Sequence, residues 1–383
     1  MKNKKVIAVV LILVMLGLLG TSELKAKETE GKGLYIISKK CSQGYIAYAE
    51  NKIHDFICGS DLEEQYKDKK IYLGTPFSFI NENADIFYFP IICNEEIIYM
   101  LRVFPVGDDR YDGILGKTFV DDLNEIKKYA SNKTPMAISM ESNMVVAYVG
   151  KERKVLIEYP TYFCDNSKPV TDSYLIKIIN KREYEYDMVN IYEKSTQITF
   201  VEEDFRLRYE SNDRGILTPN YKYLSTPIIE TQVNDSWCTA YSTAWIIRYI
   251  FTALSDNTSA YDVMCSQYTN PTSSDSLYDT DAVTYGYMRG LNPVHVSYTL
   301  SDTTLINQIV ALRPVFLNMQ RFDNSGNDYY HAIVLRGYSS TYSTWSVWNP
   351  WYSYYDTFSM GGNYVPAGAT TITYYYYHTV YNW

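Results

Sequence analysis

The sequence has little positive charge. Of its 383 residues, 35 are Lys or Arg and 44 are Asp or Glu, which gives a net charge of −9 at neutral pH. Binding to a phosphate backbone needs clustered Lys and Arg, so the sequence predicts no nucleic-acid partner. Histidine is rarer still, with four residues in the chain, and few groups can therefore serve as an imidazole base.

Charge of either sign becomes scarce after residue 220. The last 163 residues hold six Lys or Arg and eleven Asp or Glu, and are rich in Tyr, Ser, Thr and Trp instead. The chain is long enough for two domains that each bury a core. We therefore predict a first domain at residues 27–220 and a second at residues 221–383.

Residues 1–26 have the pattern of a secretory signal peptide. Three lysines near the N-terminus precede the apolar run VIAVVLILVMLGLLG and a polar segment that ends in LKA. The run is short for a membrane anchor, and no cysteine follows it closely enough to suggest lipid attachment. We expect an exported, extracellular protein, with cleavage near Ala26.

Six cysteines in an exported chain permit disulfides but do not define them. Four lie in the first domain, where they allow three connectivities or free thiols: Cys41, Cys58, Cys93 and Cys164. The second domain holds Cys238 and Cys265. We assign Cys265 a packing role, because a bridge between the two would block the chemistry considered below for Cys238.

The first domain reads as short strands separated by turns, such as GLYIISKK, GYIAYAE, DIFYFPIIC and NIYEK. We predict an antiparallel β domain with one short helix at residues 121–129. His54 and Cys58 lie four residues apart, but two ligands do not make a metal site, and no metal is predicted. Residues 210–227 read as an exposed linker, with Arg214 and Lys222 as cleavage points.

The second domain begins with helical patterns and continues with strands, an α+β arrangement. The first helix is expected to start near Cys238, with Asp235 or Ser236 as its N-cap, and to bury one apolar stripe. The other helices are expected at residues 259–267, 279–289 and 302–312. The strands include PVFLNM, HAIVLRGY, TWSVWN and TTITYYYYHTV.

Cys238 is the candidate nucleophile. A thiol at a helix N-terminus lies near the positive end of the helix dipole, which favours the thiolate. The alternative is an inert core cysteine, which is the commoner role for such a residue. The remainder of the domain decides between these interpretations.

Three histidines follow Cys238, and His331 has an orienting partner. His331 starts the strand HAIVLRGY and Asn349 ends the strand TWSVWN, so a hairpin would bring them together. The amide could then fix the imidazole tautomer, as the third member of a nucleophile–base–orienter set does. Trp351 could shield that contact from water. His295 and His378 show no such partner and are interpreted as structural.

Acyl transfer also needs donors for the oxyanion of the tetrahedral intermediate. The side-chain amide of Gln232, six residues before the cysteine, and the backbone N–H of Cys238 are suitably placed in sequence. Gln232 could instead be an ordinary loop residue.

These residues resemble the papain-like cysteine peptidases. Gln232, Cys238, His331 and Asn349 occur in the chain order of that family, and ETQVNDSWCTAY, HAIVLRGY and VWNPW are similar to the bacterial staphopains. Trp237 precedes the cysteine rather than following it, and the 93-residue separation of Cys238 from His331 is short; both fit the compact bacterial branch. The resemblance covers about residues 224–383.

The resemblance implies a two-lobed catalytic domain, with a helical lobe that carries Cys238 and a β half-barrel that carries His331 and Asn349. It also implies that residues 27–220 are an inhibitory propeptide, so that the chain is a zymogen. The expected function is a secreted cysteine endopeptidase that needs no cofactor and acts on protein or peptide substrates. Whether a dedicated inhibitor protein exists stays open.

A different class of function is also considered. The chain has 40 tyrosines, and exposed aromatic faces suit protein or glycan contacts. The alternative is therefore a secreted binding module with a catalytically idle papain-like fold. Side chains of a strand alternate between faces, however, so half of the tyrosines in TITYYYYHTV are expected in the core.

Overall fold

The computed structural model describes most of the chain beyond residue 32. The described residues are 33–60, 66, 68–80, 85–128, 135–141, 143–150, 152–159, 186–200, 209–211, 217–233, 235–322, 328–367 and 373–383. The predicted signal peptide, Cys164 and Arg214 lie outside them. Within the described residues, none of the helices combines the length and the apolar character needed to cross a membrane.

The N-terminal region is rich in antiparallel strands, as predicted. Its described elements are β1 (Tyr35–Lys39), α1 (Gln43–Cys58), β2 (Ile71–Gly74), β3 (Phe87–Cys93), β4 (Glu96–Gly107), β5 (Arg110–Gly116), α2 (Val120–Ile126), β6 (Met136–Glu141), β7 (Met144–Val149), β8 (Glu152–Glu158), β9 (Tyr186–Asn190), β10 (Lys194–Ile198) and β11 (Tyr209–Ser211). Helix α2 matches the predicted short helix.

Two of the predicted strands in this region are wrong. The segment GYIAYAE lies in helix α1, which buries Tyr45, Ala49, Ile53 and Phe56 on one face. Their spacing of four and three residues is a helical period that becomes visible only over the whole helix. The segment NIYEK is largely the turn between β9 and β10, where Asn190 accepts a hydrogen bond from the backbone of Tyr192.

The C-terminal region is α+β, with most helices before most strands, as predicted. Its described elements are β12 (Leu217–Pro219), β13 (Tyr221–Tyr223), α3 (Cys238–Ile250), a 3₁₀ turn (Thr252–Leu254), α4 (Ala260–Met264), α5 (Asp279–Met288), β14 (Val294–Val296), α6 (Asp302–Val310), β15 (Val315–Phe322), β16 (Asp328–Ser339), β17 (Thr344–Trp348), β18 (Tyr355–Ser359) and β19 (Tyr375–Tyr381).

The two regions share one sheet. Twelve strands pair in the order β10-β2-β3-β4-β5-β18-β17-β16-β15-β19-β14, with β13 added beside β16. The junction is short, because β5 and β18 pair only Leu115 with Thr357 and Ile114 with Phe358. A separate five-stranded sheet, β8-β7-β6-β1-β9, belongs to the N-terminal region. The N-terminal region is thus docked edge to edge on the sheet of the C-terminal region.

The predicted exposed linker contains regular structure. Strand β11 pairs with β12, and β13 pairs with the end of β16, opposite Gly337–Ser339. Asn220 and Leu224 are buried. The linker prediction therefore fails for residues 217–224, whose Pro and Asn suggested a loop but whose Tyr221 and Tyr223 suit a strand.

Helix α3 lies between two layers and is buried on two faces rather than along one stripe. Trp245 and Ile246 pack on the sheet, in a cluster with Val334 and Trp348. Ala240, Ala244 and Ile247 pack against helices α4 and α5. Leu254, which lies beyond the helix in the 3₁₀ turn, is exposed.

The tyrosine-rich last strand alternates as expected. Tyr374 is fully buried, Tyr375 and Tyr377 are exposed, and Tyr376 is half-buried between them. The strand itself starts at Tyr375, later than the sequence suggested, and residues 368–372 lie outside the described part of the chain.

Candidate active site

Helix α3 begins at Cys238, as predicted from the sequence. The N-cap position is Trp237, whose backbone N–H donates to the Asp235 carboxylate at 3.0 Å. Asp235 therefore holds the turn that enters the helix but does not cap the helix itself. The residue Cys238 is half-buried, and its thiol lies at a helix N-terminus, where backbone N–H groups lack helical partners.

The hairpin of β16 and β17 brings His331 and Asn349 together. These strands pair antiparallel, with Val334 opposite Trp348. His331 lies toward the start of β16, and Asn349 directly follows β17, so both lie at the same end of the hairpin. The His331 Nε2 atom is 2.9 Å from the Asn349 Oδ1 atom, and both residues are buried.

The backbone fixes which way the Asn349 amide points. The backbone N–H of Trp351 donates to Asn349 Oδ1 at 3.0 Å, and an N–H group can pair only with the amide oxygen. The same oxygen must then accept a proton from His331 Nε2. The neutral imidazole is therefore held as the Nε2–H tautomer, which leaves Nδ1 as the basic atom.

Trp351 covers this pair. Its ring stacks on the His331 imidazole with centroids 3.8 Å apart and planes 13° apart. A stacked indole removes water from one face of the imidazole, which strengthens the hydrogen bond to Asn349. Tyr374 packs on His331 as well, at 5.7 Å between ring centroids. The imidazole thus has little freedom to rotate.

A line of buried hydrogen bonds continues from Asn349 into the N-terminal region. Asn349 Nδ2 donates to the Tyr364 hydroxyl at 3.0 Å, and that hydroxyl donates to Asp356 Oδ2 at 2.6 Å. The same carboxylate oxygen accepts from Arg102 Nη2 at 2.9 Å. Arg102 lies in β4, so a residue of the N-terminal region reaches the partner of His331 through two intermediates.

A second contact joins the N-terminal region to the site. The Tyr159 ring meets Trp351 edge-on, with centroids 5.4 Å apart. Its hydroxyl lies 3.2 Å from the hydroxyl of Tyr352 and hydrogen-bonds the carbonyl of Ala367. Tyr159 follows strand β8 and is fully buried. The N-terminal region therefore packs against the tryptophan that covers His331.

Cys238 and His331 border one cavity of about 460 Å³. The wall around them is formed by the start of α3, the loop before α5, and strands β15, β16 and β19. Its lining residues are Ser236, Cys238, Thr239, Ser276, Leu277, Tyr278, Asp279, Asn318, Asp328, Tyr329, Tyr330, His331, Ala332, Tyr377 and His378. A cavity of this size can hold a short peptide segment or side chain.

Burial keeps both groups neutral in the full chain. Burial raises the pKa of the Cys238 thiol, although backbone hydrogen bonds from Ala332 and Thr239 act in the opposite direction. Burial lowers the pKa of His331 to about 3, against the hydrogen bond from Asn349, and the charge of Arg321 lowers it further. These shifts favour a thiol and a neutral imidazole over the thiolate expected from the position of Cys238 at a helix N-terminus.

The contact of the Cys238 thiol with the backbone of Ala332 places the sulfur beside strand β16, one residue beyond His331. The Ser242 hydroxyl donates to the carbonyl of Ala332 at 3.1 Å and fastens α3 to this strand. Among the described residues, His331 Nδ1 is buried without a hydrogen-bond partner. The basic nitrogen of His331 is thus available on the strand that the thiol adjoins.

Gln232 lies beside the site, with its backbone N–H donating to the carbonyl of Pro350 at 2.8 Å. Its side chain is buried, and Nε2 donates to the carbonyl of Asp235 at 2.8 Å. Trp237 points elsewhere: its ring packs toward Tyr261 and its Nε1 donates to the carbonyl of Thr272. Trp237 therefore supports the helical layer rather than the cavity.

Two interpretations from the sequence need correction. Cys265 is exposed and does not pack in the core. His295 and His378 are not isolated, because both contact the carboxylate of Asp279, at 3.0 Å and 3.2 Å. No local sequence pattern indicates these contacts, because the three residues lie on separate elements. The described cysteines Cys41, Cys58, Cys93, Cys238 and Cys265 form no disulfide with one another.

One protein family and several known proteins are similar to this chain. Residues 223–372 match the Peptidase_C39 like family. The chain is 22% identical to staphopain B of Staphylococcus aureus over 353 residues, which covers 87% of this chain and 84% of the relative. Staphopain B of strain MRSA252 is also 22% identical, over 322 residues that cover 79% and 77% of the two chains.

The resemblance to papain-like cysteine peptidases is confirmed. The family match and the similarity to staphopain B support a cysteine peptidase at the level of the family. The similarity to staphopain B extends well beyond the C-terminal region, so the N-terminal region is part of what the two chains share.

Proposed function

We propose that this protein is a secreted cysteine endopeptidase made as a zymogen, with Cys238 as nucleophile, His331 as base and Asn349 as orienter. The observation that carries the proposal is the arrangement at Asn349. Its oxygen accepts from both Trp351 N–H and His331 Nε2, which leaves Nδ1 of the imidazole as the basic atom. A core histidine with no chemical role would not need its tautomer fixed in this way.

The reaction follows from these positions. His331 Nδ1 takes the proton of Cys238, and the sulfur attacks a peptide carbonyl to form a tetrahedral intermediate. The imidazolium then gives its proton to the leaving amine, and an acyl-enzyme remains. A water molecule, deprotonated by the same Nδ1, attacks the thioester, and collapse of this second intermediate releases the acid and the thiol. No cofactor takes part.

The oxyanion would be stabilised by the backbone N–H of Cys238 and by Gln232. The Gln232 side chain is buried beside the turn that enters α3, where its Nε2 donates to the carbonyl of Asp235. Each donor contributes about 3 kcal/mol to stabilising the transition state.

Residues 27–220 would act as the inhibitory propeptide, after a signal peptide at residues 1–26 has been removed. The contact between Tyr159 and Trp351 and the ion pair between Arg102 and Asp356 support this role. The raised pKa of the Cys238 thiol and the lowered pKa of His331 in the full chain also support an inactive precursor, because both shifts disfavour the thiolate–imidazolium pair.

The test is casein hydrolysis by the processed protein and by two cysteine variants. Cys238→Ala should lose activity by a factor on the order of 10⁴ or more, because the acyl-enzyme cannot form. Cys265→Ala is the matched control, since Cys265 is exposed on the far end of α4, and it should keep full activity. Equal activity of Cys238→Ala and the wild type would overturn the proposal.

The same experiment addresses the binding-module alternative. Exposed tyrosines do occur near the cavity, among them Tyr330 and Tyr377. A binding module would leave casein uncut and would be indifferent to Cys238→Ala.

A further inference from the structure

We propose that Asp279, His295 and His378 form a binding site for one divalent transition-metal ion, on the wall of the cavity that Cys238 and His331 border. The three side chains come from α5, β14 and β19. Each offers one ligand atom, and these atoms all lie within 4.8 Å of one another. The site is distinct from the proposed catalytic residues, so it does not depend on the proposed function.

The distances suit such an ion. His295 Nε2 is 3.0 Å and His378 Nδ1 is 3.2 Å from the same oxygen, Asp279 Oδ2. Zinc takes imidazole nitrogen and carboxylate oxygen at about 2.0–2.2 Å, so two ligands of a tetrahedral ion lie roughly 3.4 Å apart. Small side-chain rotations would therefore admit an ion. The set of two histidines and one carboxylate is one that divalent transition metals use, with remaining positions open.

Hydrogen bonds orient the Asp279 carboxylate toward the two imidazoles. Asp279 Oδ1 accepts the backbone N–H of Thr280 at 3.0 Å, which turns Oδ2 toward the two imidazoles. Asn318 Nδ2 also donates to Oδ2, at 3.3 Å. Outer contacts of this kind orient metal ligands. The three ligands are thereby converged before any ion arrives.

The charge balance also favours a cation. The side chains of Asp279, His295 and His378 are 12%, 22% and 20% exposed. Among the described residues, the ion pairs of Asp279 are with these two histidines and with no Lys or Arg. A largely buried carboxylate is stabilised by a compensating charge, because burying an unpaired charge costs free energy. A divalent ion would supply that charge.

An ion bound at this position would affect substrate binding in the cavity. Asp279, Asn318 and His378 all line the cavity. A bound ion would join the start of α5 to strands β14 and β19, and would place positive charge on the wall that a substrate meets. Substrates with acidic groups would then be favoured at that wall over basic ones.

The test uses the full chain with Cys238→Ala, so that the thiol cannot bind metal. It is titrated with Zn²⁺ against a chromophoric chelator, and with Co²⁺ to record the visible bands of a tetrahedral ion with N and O ligands. We expect one equivalent to bind. Adding His378→Ala or Asp279→Asn should weaken binding by at least about tenfold. His54→Ala is the matched control. His54 lies on α1 with Cys58 3.6 Å away, and two ligands do not make a metal site. This variant should therefore bind the ion as the parent does.

Circular dichroism of the metal-free variants shows whether each one is folded, and a variant of His295 serves if another fails. Absence of a tetrahedral Co²⁺ spectrum, or unchanged affinity in folded His378→Ala, would overturn the proposal and leave a hydrogen-bonded carboxylate–imidazole cluster only. Because none of these readouts uses activity, the result is separate from that for the proposed peptidase.

Discussion

His331 and His378 border the same cavity, and their surroundings are built in opposite ways. His331 is buried, faces a neutral amide on Asn349 and stacks on Trp351. His295 and His378 are about one-fifth exposed and face a carboxylate on Asp279. Burial keeps the His331 imidazole neutral by lowering its pKa, and the charge of Arg321 adds to this effect, whereas the hydrogen bond with Asn349 opposes it. Two imidazoles beside one carboxylate are instead a ligand set that can hold a divalent metal ion.

The comparison explains why proximity to the cavity does not by itself identify the base. Both His331 and His378 line the cavity. Only His331 adjoins the residue whose backbone contacts the Cys238 thiol, namely Ala332. Only His331 has its tautomer fixed by an amide that the backbone has already oriented. His331 is therefore suited to proton transfer and His378 to binding.

The largest effect on activity is expected from substitution of the histidines themselves, which tests the comparison directly. In the processed protein, His331→Ala should lower kcat/KM for a peptide substrate by a factor on the order of 10⁴, since it removes the general base and acid. His378→Ala, measured in the presence of a chelator, should stay within a factor of about three. Similar losses in both variants would mean that the two groups share one catalytic role.

A smaller effect is expected at Tyr364. Tyr364→Phe removes the hydroxyl that joins Asn349 to Asp356, so that buried Asn349 Nδ2 loses its acceptor while Asp356 Oδ2 keeps the donor from Arg102. The free energy of unfolding should fall by about 1–3 kcal/mol, and kcat should fall more than KM rises because Asn349 is less firmly held. Urea unfolding and steady-state kinetics measure the two changes.

Tyr374→Phe is the matched control for Tyr364→Phe. Tyr374 is equally buried and contacts the His331 ring, but among the described residues its hydroxyl has no hydrogen-bond partner. Its removal should leave stability unchanged or slightly improved. Equal destabilisation of the two variants would show that removing either buried hydroxyl has the same cost. The hydrogen bonds from Asn349 through Tyr364 to Asp356 would then make no specific contribution to stability.

The sequence predicted much of the C-terminal region because its signals are local. The helix that starts at Cys238 and the strands around His331 and Asn349 follow from apolar spacing and β-branched residues. The hairpin that joins the two residues follows from a short turn. Their contact in the structure, at 2.9 Å, is the one that the hairpin predicted.

The remaining features depend on contacts between distant parts of the chain. Arg102 and Asp356 are 254 residues apart in sequence, and the shared sheet joins them through four residues of β5 and β18. No local pattern indicates which sheet edge will meet which. The convergence of Asp279, His295 and His378 was missed for the same reason. Helix α1 was missed for a different reason, because the segment GYIAYAE taken alone looks like a strand.

The pKa shifts in the full chain predict how fast Cys238 reacts with a thiol reagent, and this rate is the basis of the most direct test. Burial raises the pKa of the Cys238 thiol, so less thiolate exists at any given pH than in a free cysteine. Burial lowers the pKa of His331 to about 3, so the imidazole stays neutral from there upward. The unprocessed chain should therefore react slowly with a thiol reagent at neutral pH.

That test is the rate at which iodoacetamide alkylates Cys238 as a function of pH, with the modified residue identified by mass spectrometry. The central claim is that His331 is the base of Cys238. It predicts that processed wild type and His378→Ala react readily at about pH 6, whereas His331→Ala needs a pH near the ordinary thiol value of about 8.5. Two results would contradict the claim: rapid alkylation of Cys238 in His331→Ala at acidic pH, or loss of that rapid alkylation in His378→Ala.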